Sequence, residues 1–345
     1  MQEIDGSYGE GGGQIVRYAT ALSAHTQTPI HIINIRANRP NPGLRPQHYA
    51  ALSFLKELCT ADTEGIAVGS EEVIFKPKSI TPGSFAFDIG TAGSITLVYQ
   101  ACLLAVHDIK KPLQINLTGG TDVRWAPSWD YFIHVFLPTI KKMGITVHAT
   151  LNQRGYYPKG GGKAEILIHP TQKITALHYN TDPNYDKING VIHYAQLPEH
   201  IPQRIKHTLQ KYAIKHTLKL SIETEEITTA QSPGTGLTLW TQTKNGILAT
   251  SQPGERGIRA EELATTVITD LHQQMQNNAT IDTHLLDQIL PYMVLADMPA
   301  SCRVSHISNH ARTTMWLLKQ FFNIDFALSA EETYVDVVVK KHNIK

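Results

Sequence analysis

Gly9-Glu10-Gly11-Gly12-Gly13-Gln14 opens the stretch that sets the architecture, because the helix and strand after it recur along the chain. Ile15, Ala19 and Leu22 lie at helical spacing, and Pro29-Ile30-His31-Ile32-Ile33-Asn34-Ile35 then reads as a strand. The same order returns at residues 90–94, with a helix over 95–106 and the strand Pro112-Leu113-Gln114-Ile115-Asn116-Leu117. A third occurrence starts near Ser305, with a helix over 313–322 and a strand over 324–328. Each unit carries a second helix, at 47–58, at 129–143 and at either 261–275 or 282–295. Strand pairs come next, as in 145–150 and 164–168, joined by a glycine-rich hairpin region. Repetition at this level predicts one large α+β domain built from three helix-and-sheet units.

Residues 181–250 break that rhythm. Asp182-Pro183-Asn184 reads as a linker, 199–214 as a helix, and 218–224 and 236–243 as strands around the turn Ser232-Pro233-Gly234-Thr235-Gly236. The expected organisation is residues 1–180 as the first two repeats, 181–252 as a small inserted α/β domain, and 253–345 as the third repeat.

Composition narrows the function classes. With 41% hydrophobic and 18% charged residues, the chain has the makings of an ordinary folded core rather than a disordered segment. A formal net charge of +1 gives no global pull toward nucleic acid, so phosphate binding has to come from a local patch. Cys59, Cys102 and Cys302 are far apart and lack metal-ligand spacing, which fits a reducing, cytoplasmic setting. No signal peptide is read at the N-terminus, and apolar runs such as 101–106 are too short to span a membrane.

Several stretches carry chemistry. The glycine loop before a helix suits an anion, and a tight helix-strand turn would explain it equally. It is not a dinucleotide fingerprint, because Gln14 stands where the third glycine belongs, and Gly160-Gly161-Gly162-Lys163 is not a P-loop. Glu10 inside such a loop makes sense as a holder of a divalent cation on bound phosphates. Arg17 reads as lying off the apolar helix face. Arg36, Arg39 and Arg45 sit in a loop stiffened by Pro40, Pro42 and Pro46, which presents their planar donors to phosphate oxygens; Gln47 and His48 come next. Trp125 and Pro127 could flank a base. Gln100, and the pair Asp287-Gln288, stand in otherwise apolar helices. His310 lies in a polar loop that Ser308 or Asn309 turns into a helix. There the dipole disfavours imidazolium and attracts phosphate.

Taken together, Gly9 to Arg17, Arg36-Ala37-Asn38-Arg39, Pro42-Gly43-Leu44, Gln47-His48, Gly93 to Gln100, Gly119-Gly120-Thr121-Asp122, Tyr157 to Gly162 and the His310 stretch resemble, in order, the RNA 3′-terminal phosphate cyclase family. The resemblance runs from end to end and is weakest in the insert. It implies three repeats like the C-terminal domain of translation initiation factor 3, plus the inserted domain. It also implies a three-step reaction. A histidine takes AMP from ATP, AMP passes to an RNA 3′-phosphate, and the ribose 2′-hydroxyl closes a 2′,3′-cyclic phosphate.

Residue by residue, the resemblance makes His310 the nucleophile. Gln100, His284, Asp287, Gln288, Pro127 and Arg17 become ATP contacts, and Arg36, Arg39, Arg45, Gln47 and His48 a wall for RNA or nucleotide phosphates. Glu10 becomes the residue near Mg²⁺ or Mn²⁺. The implied partners are ATP and RNA with a 3′-phosphate end, with a homodimer as the candidate assembly and no membrane. Two positions depart from the family pattern: Thr314 stands where an asparagine is usual, and His306 where an acid is common. Two rival readings are a non-catalytic RNA-processing or ribosome-assembly factor of the same fold and a small-molecule transferase of the related enolpyruvyl-transferring fold. The first lacks the nucleophilic histidine that this chain carries.

Overall fold

The computed structural model describes residues 1–106 and 109–342. Its first unit runs β1 (Gln2–Asp5), α1 (Gly13–Thr26), β2 (Ile30–Ile33), α2 (Pro46–Leu58), β3 (Asp62–Glu64) and β4 (Val73–Lys76). β1 is parallel to β2, β2 antiparallel to β4, and β4 antiparallel to β3, giving the order β1-β2-β4-β3. The second unit runs β5 (Ser84–Asp88), α3 (Ile95–Val106), β6 (Leu113–Gly119), a helical stretch, β7 (Val147–Gln153) and β8 (Gly162–Ile168). That stretch comprises α4 (Trp129–Tyr131), a π-helical turn (Phe132–Phe136) and α5 (Leu137–Lys142). The sheet order, β5-β6-β8-β7, repeats the first with the same strand directions.

The third unit begins with β9 (His178–Tyr179) and is interrupted at once. The insert runs β10 (Lys187–Ala195), α6 (His200–Lys215), β11 (Lys219–Glu226), β12 (Gly234–Thr243), β13 (Gly246–Pro253) and α7 (Ala260–Gln276). The unit resumes with α8 (Thr283–Leu295), β14 (Ser301–Val304), α9 (Asn309–Phe321), β15 (Ile324–Ala330) and β16 (Val335–Lys341). Its sheet, β15-β16-β14-β9, has the same order again, read from the other edge. The described residues thus form a mixed α+β structure of four four-stranded sheets.

The third unit differs from its sequence reading in phase. α9 comes after β14 and leads to the outer strand β15, so it is the counterpart of α2 rather than of α1. The counterpart of α1 and α3 is α8. The insertion falls between a unit's first strand and its first helix, which displaces a reading based on turn-helix-strand order by one helix.

Period-two alternation explains the sheets. Leu113, Ile115 and Leu117 of β6 point to the core while the residues between them are half-buried. One apolar cluster runs through all three units. α1 lies at its centre, packed on α2, α3 and α9, and every residue from 14 to 24 is buried. Arg17 is therefore only 9% exposed, not on an open face as its helical position suggests, because α1 is covered on all sides.

The insert has its own core, to which α7 contributes Leu263, Ala264, Val267, Ile268 and Leu271 against Ile188, Ile192, Ile205 and Leu209. α7 packs on α6, β12 and β13, so this packing unit runs past residue 252. Among the described residues no helix is long and apolar enough to cross a membrane. Truncating Leu271 to Ala should cost about 3 kcal/mol, the usual range for a buried leucine. Limited proteolysis should then cut first between residues 187 and 276, which bound β10 to α7; an unchanged pattern would place α7 outside the insert's core.

Candidate active site

α9 starts on a cap. The Ser308 hydroxyl accepts the Ala311 N–H at 2.9 Å, so His310 stands in the helix's first turn, at the positive end of its dipole. The hydroxyls of Thr313 and Thr314 donate back to the carbonyls of Asn309, at 2.8 Å, and His310, at 3.0 Å. These bonds tie down the turn that presents the imidazole.

Gln14, in the first turn of α1, sets the ring's protonation pattern. Its Nε2 donates to Thr314 Oγ1 at 2.8 Å and to Asp287 Oδ2 at 3.2 Å. The Thr314 hydroxyl proton is already engaged by the His310 carbonyl, so that oxygen can only accept from Gln14. The amide oxygen is then left facing His310 Nδ1 at 2.8 Å, and Nδ1 must carry the proton. Nε2 keeps its lone pair. Burial lowers the His310 pKa, Glu10 opposes that, and His284, Arg17 and Arg39 add to the lowering. The ring is therefore a neutral, half-exposed imidazole whose Nε2 carries the lone pair.

Glu10 Oε2 lies 3.4 Å from that Nε2 and 3.3 Å from a nitrogen of Arg39. Arg36 and Arg45 stand near Arg39, close enough that Arg39 and Arg45 help burial lower the Arg36 pKa. The Nε atoms of Arg17, Arg36 and Arg39 are buried without a hydrogen-bond acceptor among the described residues. Such unspent donors in a cluster of like charge suit an anion. His48, in the first turn of α2, accepts the Arg45 N–H at Nδ1 (3.2 Å) and sets its other nitrogen against the glycine loop. A Cβ on Gly13 would come within 1.9 Å of that nitrogen, so only glycine lets α1 and α2 start so close together. Burial and the cations Arg17, Arg36 and Arg45 lower the His48 pKa to about 3.

The remaining expected residues line up along α3 and α8. Gln100 Nε2 donates to Gln288 Oε1 at 2.6 Å, joining the two helices within the core. Asp287 reaches Gln14, while burial and the nearby Asp282 raise its pKa to about 8. His284 is exposed in the first turn of α8, its N–H bound by the cap Asp282. Pro127 is held at its carbonyl by Thr96 of α3 at 2.7 Å, and Gln47 lies against Gly93 of the second unit. Glu10, Gln14, Arg17, Arg39, His284, Asp287 and His310 form one connected group. Pro127 and Gln47 touch the second unit instead, through Thr96 and Gly93. His306 is exposed, and the second imidazole acting on His310 is His284.

Two central residues escape a reading of the sequence. Gln14 registers there only as the residue that breaks the glycine spacing, and Thr314 only as a departure from a family pattern. Their contact joins positions 300 apart, which no local pattern encodes.

A family model described as RNA 3′-terminal phosphate cyclase matches residues 8–328. A protein of that name from Methanosarcina barkeri is 40% identical over 98% of this chain and 100% of its own length. Similar proteins with the same name occur in Nitrosospira multiformis, at 39% identity over 99% of this chain and 97% of the relative, and in Pyrococcus furiosus, at 42% over 92% of both. Among solved structures, the enolpyruvyl transferase NikO from Streptomyces tendae aligns with a TM-score of 0.40 at 9% identity, over 94% of this chain and 46% of that chain.

The two shifted groups give stability opposite pH dependences. The unfolded His48 imidazole takes up a proton near its ordinary pKa and the folded one only near 3, so this site loses stability as pH falls below about 6.5. The unfolded Asp287 carboxyl ionises near its ordinary value and the folded one near 8, so this site loses stability as pH rises through that window. Melting temperatures across that range should show a gentler acid limb in His48→Gln and a gentler decline toward pH 8 in Asp287→Asn. Parallel curves for wild type and both variants would contradict the burial of these groups.

Proposed function

This chain belongs to the RNA 3′-terminal phosphate cyclase family, and from that premise we propose that it uses ATP to close RNA 3′-phosphate ends into 2′,3′-cyclic phosphates, with His310 carrying AMP. The observation behind this reading is the Gln14 amide, which leaves His310 Nε2 unprotonated beside a cluster of unspent arginine donors. Nε2 attacks the α-phosphorus of ATP, and the bond to pyrophosphate breaks. The ring becomes cationic as the P–N bond forms, and Nδ1–H then donates more strongly to Gln14. An oxygen of the RNA 3′-phosphate next displaces the imidazole from the AMP phosphorus. The adjacent 2′-hydroxyl attacks the activated 3′-phosphorus, loses its proton, and expels AMP.

A depressed imidazole pKa serves both of the first two steps. It keeps the ring neutral for attack and makes it a better leaving group once adenylylated. In this reading Arg17 and the wall of Arg36, Arg39 and Arg45, with Gln47 and His48, receive phosphate oxygens. Gln100, Gln288, Asp287, His284 and Pro127 form the nucleotide side. Glu10 would hold Mg²⁺ or Mn²⁺. A single protein carboxylate suits an ion that takes its other oxygens from phosphates and water, and such an ion supplies charge neutralisation when bound. Selection for RNA would rest on the terminal phosphate and the 2′-hydroxyl rather than on base edges. The three units would each be of the type found in the C-terminal domain of translation initiation factor 3.

Incubation with α-labelled ATP and Mg²⁺ should put an acid-labile label on wild-type protein and none on His310→Ala. The variant's melting temperature should stay close to wild type, because the ring is half exposed. Label retained on the variant would move the nucleophile elsewhere. Arg39→Ala and Arg45→Ala should each lower kcat/KM for RNA roughly 10- to 100-fold, the worth of a charge-assisted phosphate contact. The loss should be equal for RNAs of different sequence; a strong dependence on the terminal base would count against phosphate binding.

A further inference from the structure

Away from His310, the junction between the second unit and the insert buries a group of ionisable side chains. Asp122 lies just after β6, Asp130 in α4, Arg154 just after β7, and His193 in β10 of the insert; all are at most 4% exposed. Arg154 bridges Asp122, Asp130 and Glu225 of β11 at 2.9 to 3.2 Å. Glu225 is half-exposed, so the dry part of the site sets two carboxylates against one guanidinium that Glu225 already shares.

The imidazole geometry is more informative than the charge. His193 Nε2 lies 3.3 Å from Asp122 Oδ1 and 3.6 Å from Asp130 Oδ2, and both Nε2 and Asp122 Oδ1 are buried without a hydrogen-bond partner among the described residues. One possible ligand atom from each of the three residues lies within 4.8 Å of the other two. Two ligand atoms on a tetrahedral ion, with bonds of about 2.0–2.2 Å, stand roughly 3.4 Å apart. The shorter separation is at the outer limit of a hydrogen bond, and both match two donors sharing a metal. The Tyr156 hydroxyl lies 2.7 Å from His193 Nδ1 and can take its proton, which turns the lone pair of Nε2 toward the carboxylates. A Cβ on Gly236 would come within 2.5 Å of Nε2, so the ring occupies a space that only glycine leaves open.

We propose that Asp122, Asp130 and His193 form a buried site for one divalent cation of the zinc type, which fastens the insert to the second unit. Arg154 acts as the outer partner of both carboxylates, a role usually filled by groups that orient metal ligands. The mixed nitrogen and oxygen donor set suits Zn²⁺ and accepts Co²⁺ as its spectroscopic substitute. The alternative is a proton on Nε2 and a purely ionic latch.

The full-length protein, stripped with chelator and reloaded with Zn²⁺ or Co²⁺, decides between them. After desalting, wild type should keep about one ion per chain and melt at a higher temperature than the stripped form. Zinc-edge X-ray absorption should show one imidazole among oxygen ligands. His193→Ala should lose the retained ion while Glu10→Ala keeps it, and the Co²⁺ form of His193→Cys should gain a sulfur-to-metal charge-transfer band. Failure of wild type to retain either ion, or a retained ion with two or more imidazoles, would overturn the proposal without recourse to a variant. So would equal retention by folded His193→Ala.

Discussion

One side-chain amide sets the chemistry of the site. Gln14 gives its N–H groups to Thr314 and Asp287 and its oxygen to His310, so three helices meet through a single planar group. Turning the amide over would set its oxygen against the Thr314 hydroxyl oxygen, whose proton the His310 carbonyl already holds, and that contact would be lost in a buried place. The imidazole therefore has one favoured proton position, and its free nitrogen faces Glu10 and the arginines.

The repeated fold explains why those helices meet. α1 and α8 occupy the same place in their units, first after the first strand, while α9 is a second helix. Enclosing α1 on every side lets its first turn reach both α8 and α9. The same enclosure buries Arg17 and supplies the low-dielectric surroundings that depress His310 and His48 and raise Asp287. Burial is the first cause of all three shifts. The cations shift the two histidines further in the same direction, while Asp282 adds to the rise of Asp287.

Much of this is legible in the chain itself. His310, Glu10 and Arg36, Arg39 and Arg45 stand in turn-rich local stretches whose composition announces unusual backbone and exposed charge. The strand-and-helix rhythm of the first two units is local too, and the sequence pattern carries it. The third unit reads out of phase because the insert separates β9 from α8. Gln14 and Thr314 stay hidden because what makes them matter is a contact across 300 positions. Thr314 illustrates the point: as a departure from the family pattern it implies an altered cap or ring contact, and its hydroxyl in fact receives the Gln14 amide. Asp122, Asp130 and His193 show no metal-ligand spacing, since His193 reaches the two carboxylates only when the insert folds back on the second unit.

The tautomer of His310 is the property on which the proposed chemistry turns. Nitrogen-15 NMR of the imidazole near neutral pH, assigned with His310→Ala and repeated in Gln14→Leu, reads which ring nitrogen carries the proton. Wild type should show a protonated Nδ1 and a bare Nε2, with that pattern lost or averaged when Gln14 is replaced. A proton found on Nε2, or a wild-type pattern that survives the loss of Gln14, would contradict the role given to the amide.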